Sequence, residues 1–269
     1  MRPADVLSRP ARPPDLVMSY GDREDQVADL WLPQRAAGVA APLVLFLHGG
    51  FWRAAFDRRH AGPLAEALAA GGLAVCVPEY RRVGQPGGGW PGTFDDIEAA
   101  LGTLPAAVMD ATGGAAGGEQ VVLAGHSAGG HLALWAAGRD HGRSVGIVVS
   151  LAGVCGLAEC YRAGLGQGAA GELMGGGPEE FPDRYRAADP MAAIPTGTRS
   201  VLVHGTADDR VPWQQSRDYE AAAGAAGDEV RCVFLPEVGH FEVIDPLSAA
   251  WPAVLREFRS AAAGLAERS

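Results

Sequence analysis

Between residues 43 and 235, six short runs of β-branched and apolar residues, at 43–47, 73–78, 120–124, 146–151, 200–204 and 230–235, alternate with stretches that suit helices. The helical stretches lie at 63–70, 94–104, 129–137 and 213–223, and another closes the chain at 246–263. Strands separated by helices pair in parallel, and the connecting helices then cover both faces of the sheet. Two earlier runs, 16–19 and 27–32, fit an antiparallel hairpin at the sheet edge. The expected fold is therefore α/β, a mainly parallel sheet with helices on both faces. One core suits a chain of 269 residues, so residues 1–269 are expected to form a single domain.

The alternation breaks at residues 155–195, where Gly, Pro and acidic residues disrupt any period and only 171–173 and 184–188 hint at helical turns. A stretch this long inside a domain is more often functional than idle. It reads as a small lid-like insertion, or pocket wall, between two strands. The glycine-rich segments at 87–89, 113–118 and 164–177 lack the terminal Lys-Ser or Lys-Thr of a phosphate cradle and read as loops.

A formal net charge of −10 argues against nucleic acid as a partner, because a phosphate backbone demands a basic face. No apolar run approaches the roughly 18 residues that span a bilayer, so no membrane partner is expected. Residues 1–14 are rich in Arg and Pro and lack the apolar core of a secretory signal, which gives a cytoplasmic expectation. The four cysteines show no CxxC spacing, and Cys76 and Cys232 fall in strand-like runs. Neither disulfides nor a metal site is expected.

Chemistry enters after the third main run, where Gly125-His126-Ser127-Ala128-Gly129 joins a strand to a helix. A serine on so tight a turn needs neighbours with little or no side chain two positions away on either side. Its hydroxyl is a poor nucleophile until a base takes its proton, and the base needs a carboxylate to hold its tautomer. After run 200–204 the chain reads His204-Gly205-Thr206-Ala207-Asp208-Asp209-Arg210-Val211-Pro212, and after run 230–235 it reads Pro236-Glu237-Val238-Gly239-His240-Phe241-Glu242. Both groups fall past the carboxyl ends of strands, where open parallel sheets collect catalytic groups. The spacing from Gly205 to Val211 favours Asp208 over Asp209.

Charge developing on a carbonyl oxygen must meet fixed donors, and His48-Gly49-Gly50-Phe51-Trp52, after run 43–47, offers backbone N–H groups at Gly50 and Phe51 beside that of Ala128. Among the other histidines, His126 and His131 read as packing and His48 as an anchor of the oxyanion loop. His204 reads as a strand-end residue, His60 as a surface one and His141 as a loop one. Phe51 and Trp52, with Trp90 and Tyr80, are candidate walls of an aromatic substrate pocket.

Residues 42–258 resemble the alpha/beta-hydrolases of the hormone-sensitive lipase and kynurenine formamidase group. HGGFW is similar to the formamidases' HGG-aromatic-Trp, GHSAGGHLA to their elbow followed by His-Leu, and GHFEVID to their His-Phe-Glu segment. The resemblance implies an alpha/beta-hydrolase fold with Ser127 as nucleophile, Asp208 as acid and His240 as base, acting on a small-molecule substrate without a cofactor. It also implies cleavage of N-formylkynurenine to kynurenine and formate. The acid loop departs from the formamidases and has the generic hydrolase form. A carboxylesterase for short-chain or aryl esters, and a catalytically silent binding protein on the same fold, are the alternatives. A homodimer through an edge strand or the last helix stays open.

Overall fold

The computed structural model describes residues 3–34, 40–139 and 144–266; His141 lies outside the described residues. Among the described residues, eight strands form one sheet: β1 (Leu16–Ser19), β2 (Val27–Trp31), β3 (Leu43–Leu47), β4 (Ala74–Pro78), β5 (Val121–His126), β6 (Val145–Leu151), β7 (Arg199–Gly205) and β8 (Val230–Leu235). Their spatial order is β1-β2-β4-β3-β5-β6-β7-β8. The first two strands form the expected antiparallel edge hairpin, β2 runs antiparallel to β4, and every later pairing is parallel.

Period-two alternation divides the core between the two faces of the sheet. Leu43, Leu45 and Leu47 of β3 and Leu123 of β5 join a cluster with Ile97, Leu104, Leu132 and Tyr219. These last come from α3 (Gly92–Ala111), α4 (Ala128–Ala137) and α8 (Gln214–Ala225). Val44, Phe46, Val122 and Ala124 turn the other way, toward Leu64 and Leu68 of α2 (Gly62–Ala70) and Val254 and Phe258 of α9 (Trp251–Ala266). Each such leucine, isoleucine, valine or phenylalanine side chain contributes about 1.5–3 kcal/mol by leaving water. Among the described residues, no helix is long and apolar enough to cross a membrane.

Three local features differ from the sequence expectations. α3 does not stop before Pro105 but runs on to Ala111. Proline removes a helical hydrogen bond, yet the wholly buried Leu104 and Val108 on either side keep the helix on the core. The insertion at 155–195 holds three short helices, α5 (Leu157–Arg162), α6 (Ala169–Met174) and α7 (Pro182–Ala188), and buries Leu157, Cys160, Leu173, Met174 and Tyr185. Helices of six or seven residues are too short to display a period. A helix at the amino end, α1 (Pro3–Leu7), packs Val6 into the second core cluster. Just beyond it, Arg9 is held by an ion pair 2.7 Å from the wholly buried Asp245.

The sheet and α4 meet with no room to spare. A methyl group on Gly129 would stand 1.9 Å from the Leu47 carbonyl oxygen and 2.6 Å from that of His48, and one on Gly125 would stand 2.2 Å from the Gly129 carbonyl oxygen. The obstacles are backbone atoms and cannot rotate away. Gly129→Ala is therefore expected to cost about 3 kcal/mol, at the upper end of overpacking penalties, and to lower the urea midpoint accordingly. A midpoint equal to that of the parent protein would show that α4 can slide off β3.

Candidate active site

Ser127 stands between β5 and α4 with φ +55° and ψ −116°. A non-glycine residue in this region costs on the order of 1–3 kcal/mol, and the surroundings must impose it. The Ser127 N–H donates to the Leu151 carbonyl at 2.9 Å, while the Ser127 carbonyl accepts from the N–H groups of His131 at 3.1 Å and Val154 at 3.3 Å. Ala128 is the first residue of α4, so its N–H has no partner within the helix.

Past β7 and β8 the two loops converge. The Nδ1 of His240 lies 2.7 Å from Asp208 Oδ2, and Asp208 Oδ1 accepts backbone N–H groups from Arg210 and Val211, each at 2.8 Å. Burial pushes the Asp208 carboxyl up, but the bonds from His204 and His240, the charge of His240 and the Val211 N–H outweigh it, and the acid is held well below its ordinary range. Asp209 points outward, 74% exposed, and pairs with Arg210. His126 is a packing residue. Its Nε2 lies 2.9 Å from the His240 carbonyl, and burial with the nearby His240 charge keeps it far below the usual histidine pKa.

Facing the elbow is the loop after β3. A methyl group on Gly49 would come within 3.3 Å of the Ser127 Cβ, so this loop abuts the serine. Phe51 and Trp52 both hold positive φ, +51° and +57°. Hydrogen bonds from Val83 N–H to the Trp52 carbonyl at 2.8 Å and from Arg53 N–H to the Gly50 carbonyl at 3.0 Å fix that conformation. His48 anchors the loop from below: it stacks on Tyr80 and its Nε2 lies 2.8 Å from Glu79 Oε1. No motif or spacing in the sequence marks Glu79 as part of this loop. Burial raises its pKa, but the bond and charge of His48, the Arg82 charge and the Arg58 N–H bring it down to about 2.

Ser127 and His240 share the walls of a cavity of about 520 Å³ with Gly50, Phe51, His126 and Phe241. Leu7 from α1, Phe56 and His60 close one side, and residues 164–167 of the insertion close another. His60 is thus a half-buried pocket residue instead of a surface one, and burial lowers its pKa to about 4, with a further push from His48. Trp52, Tyr80 and Trp90, expected as pocket walls, do not line this cavity. Trp52 is wholly buried edge-on to His131, Tyr80 is wholly buried with its hydroxyl donating to the His48 carbonyl, and Trp90 packs against Phe94. These three rings serve the core beneath the loops, and Phe51, Phe56 and Phe241 supply the aromatic walls instead. Arg53 pins the insertion in place through Glu172, at 2.7 and 3.0 Å.

A mainly parallel sheet with a serine elbow after β5, an acid after β7 and a histidine after β8 defines the alpha/beta-hydrolase fold. Residues 28–222 match the BD-FAE family model, and the chain belongs to the BD-FAE family. It is 26% identical to the esterase LipC of Mycobacterium tuberculosis over 84% of this chain and 59% of that protein. It is 27% identical to a probable isoprenylcysteine alpha-carbonyl methylesterase of Oryza sativa subsp. japonica over 85% of this chain and 58% of that one. The chain thus spans little more than half the length of these relatives. Among solved structures, a truncated carbohydrate esterase from gut microbiota superposes with a TM-score of 0.77 at 18% identity, covering 94% of this chain and all of that one.

Glu79 and Asp208 are both more acidic in the folded chain than their ordinary values of 4.5 and 3.8, so the folded state binds fewer protons than the unfolded one. The stability they contribute is complete above those values and is lost as pH falls. The urea midpoint is expected to begin falling below about pH 6.5, where the unfolded chain protonates His60, His126 and His131 and the folded one does not, and to fall further from about pH 4.5 toward the folded Glu79 value of about 2. A midpoint that stays level through this window would contradict the paired state of the two carboxylates.

Proposed function

We propose that the chain is a serine carboxylesterase acting on esters of compact acyl groups. The observation that carries the reading is the 2.7 Å contact of Asp208 with His240, in a cavity that His240 shares with Ser127. Ser127 Oγ attacks the ester carbonyl carbon while His240 Nε2 takes its proton. The oxyanion is held by the N–H groups of Gly50, Phe51 and Ala128, where each such donor contributes about 2.7–4 kcal/mol to lowering the barrier. Collapse breaks the bond to the alcohol, which leaves with the proton from His240. Water then repeats the sequence on the acyl-enzyme and releases the acid.

Two considerations favour an ester over the formamide implied by the HGGFW and HFEVID likeness. The relatives matched over four fifths or more of this chain are named as esterases or methylesterases. The cavity of about 520 Å³ is large beside a formyl group, although the Phe51 ring lies so near Gly166 that a methyl there would meet it at 2.5 Å. That contact narrows the space between the oxyanion loop and the insertion and supports short acyl groups.

With p-nitrophenyl esters, kcat/KM is expected to peak at short acyl chains and to exceed the value for N-formylkynurenine. The reverse order of ester and formamide would return the assignment to a formamidase. Ser127→Ala is expected to lower kcat by four or more orders of magnitude, on the scale of about 10⁶ known for triad serines. Unchanged hydrolysis in that variant would leave the fold as a binding scaffold.

A further inference from the structure

Asp208 also meets a second histidine, one that the catalytic reading leaves unused. His204 is the penultimate residue of β7 and is wholly buried. Its Nε2 lies 3.2 Å from Asp208 Oδ2, the same oxygen that receives His240, and 3.0 Å from the Val211 carbonyl. Both partners are acceptors, so Nε2 carries the proton and the ring is a donor to the carboxylate. On its far side Nδ1 lies 2.7 Å from the hydroxyl of Ser216 on α8, which is itself buried and 3.8 Å from the Cys155 thiol. The chain Ser216–His204–Asp208–His240 therefore runs continuously from α8 to the cavity.

We infer that His204, steadied by Ser216, is a positioning residue for the triad acid: its N–H fixes the rotamer of Asp208 and shares the carboxylate charge with His240. This inference rests on the esterase reading above. A carboxylate held only by the Arg210 and Val211 N–H groups on Oδ1 would keep one oxygen in place and leave the other to follow the His240 ring. The donor on Oδ2 also competes with His240 for negative charge. Removing it leaves Asp208 more basic toward His240 and favours the imidazolium in the free enzyme.

The acid limb of the kcat/KM profile reads this directly, because it reports protonation of the base in the free enzyme. Other charged and titratable groups around the pair are His126 from β5, Asp209 and Arg210 beside Asp208, Cys155 after β6, Cys232 on β8, and Glu242 two residues past His240. All are unchanged in the variants, so a displaced limb is assigned to the lost donor.

Using the full chain and p-nitrophenyl acetate, His204→Leu is expected to lower kcat about tenfold or more with little change in KM, on the scale of a hydrogen bond to a charged group. Its acid limb is expected to move to higher pH. His204→Gln, which keeps an N–H near the Nε2 position, restores most of the rate and the limb. Ser216→Ala gives a smaller shift in the same direction and decides the matter should His204→Leu fail to fold. A folded His204→Leu with the parent kcat and acid limb, or in its place a Ser216→Ala indistinguishable from the parent, overturns the inference. Ser127→Ala separates the two levels: an inactive Ser127→Ala beside an unaltered His204 series sinks the positioning role alone, whereas an active Ser127→Ala removes the esterase reading with it.

Discussion

The structure depends on one close approach, that of the α4 amino terminus to the end of β3. Gly129 lies so near Leu47 that not even a methyl group fits between them, and Gly125 lies equally near Gly129. This contact leaves a single compact path for the chain between β5 and α4, and the path forces Ser127 to φ +55°. The same contact sets the loop after β3 against the serine, because Leu47 ends β3 and His48 begins that loop. Ser127 and the N–H groups proposed to hold the oxyanion are therefore placed by one packing event. Strain of about 1–3 kcal/mol at the elbow is sustained by cores on both faces of the sheet.

Around that contact the charges are organised by burial. Asp208 lies past β7 and Glu79 past β4, one bonded to His240 and the other to His48, and each is surrounded by donors. A buried carboxylate without such donors would take up a proton. Each therefore stays anionic only while its histidine and backbone partners are in place, so charge and loop geometry are mutually dependent. The two histidines next to the cavity that lack a carboxylate partner behave in the opposite way: His126 and His60 are both driven toward the neutral form by burial.

Much of this was legible in the sequence because the signals were local. Each parallel strand is a short apolar run, and Ser127, Asp208 and His240 each follow one of them, so the structure's grouping of Asp208 with His240 and of His240 with Ser127 had a visible counterpart in spacing. What was not legible depends on contacts between distant segments. Leu7 reaches the cavity because Arg9 is tied to Asp245, a partner 236 residues away. The insertion forms helices because Leu173, Met174 and Tyr185 find a core to bury into, not because six residues can show a period. Trp52 was placed in the pocket because it follows HGG, yet its backbone turns at φ +57° and the ring packs inward on His131. His204 reads as a strand-end histidine until the fold brings its ring to the acid four residues on.

The proposed hydrolysis requires that Ser127 become acylated during turnover. It is tested most directly by mixing the protein rapidly with p-nitrophenyl acetate, quenching in acid and mapping the peptide that gains an acetyl group by mass spectrometry. Acetyl is expected on the peptide holding Ser127, formed at the rate of the p-nitrophenol burst and lost at the steady-state rate. Steady release of p-nitrophenol with no acetyl on that peptide at any time would contradict it.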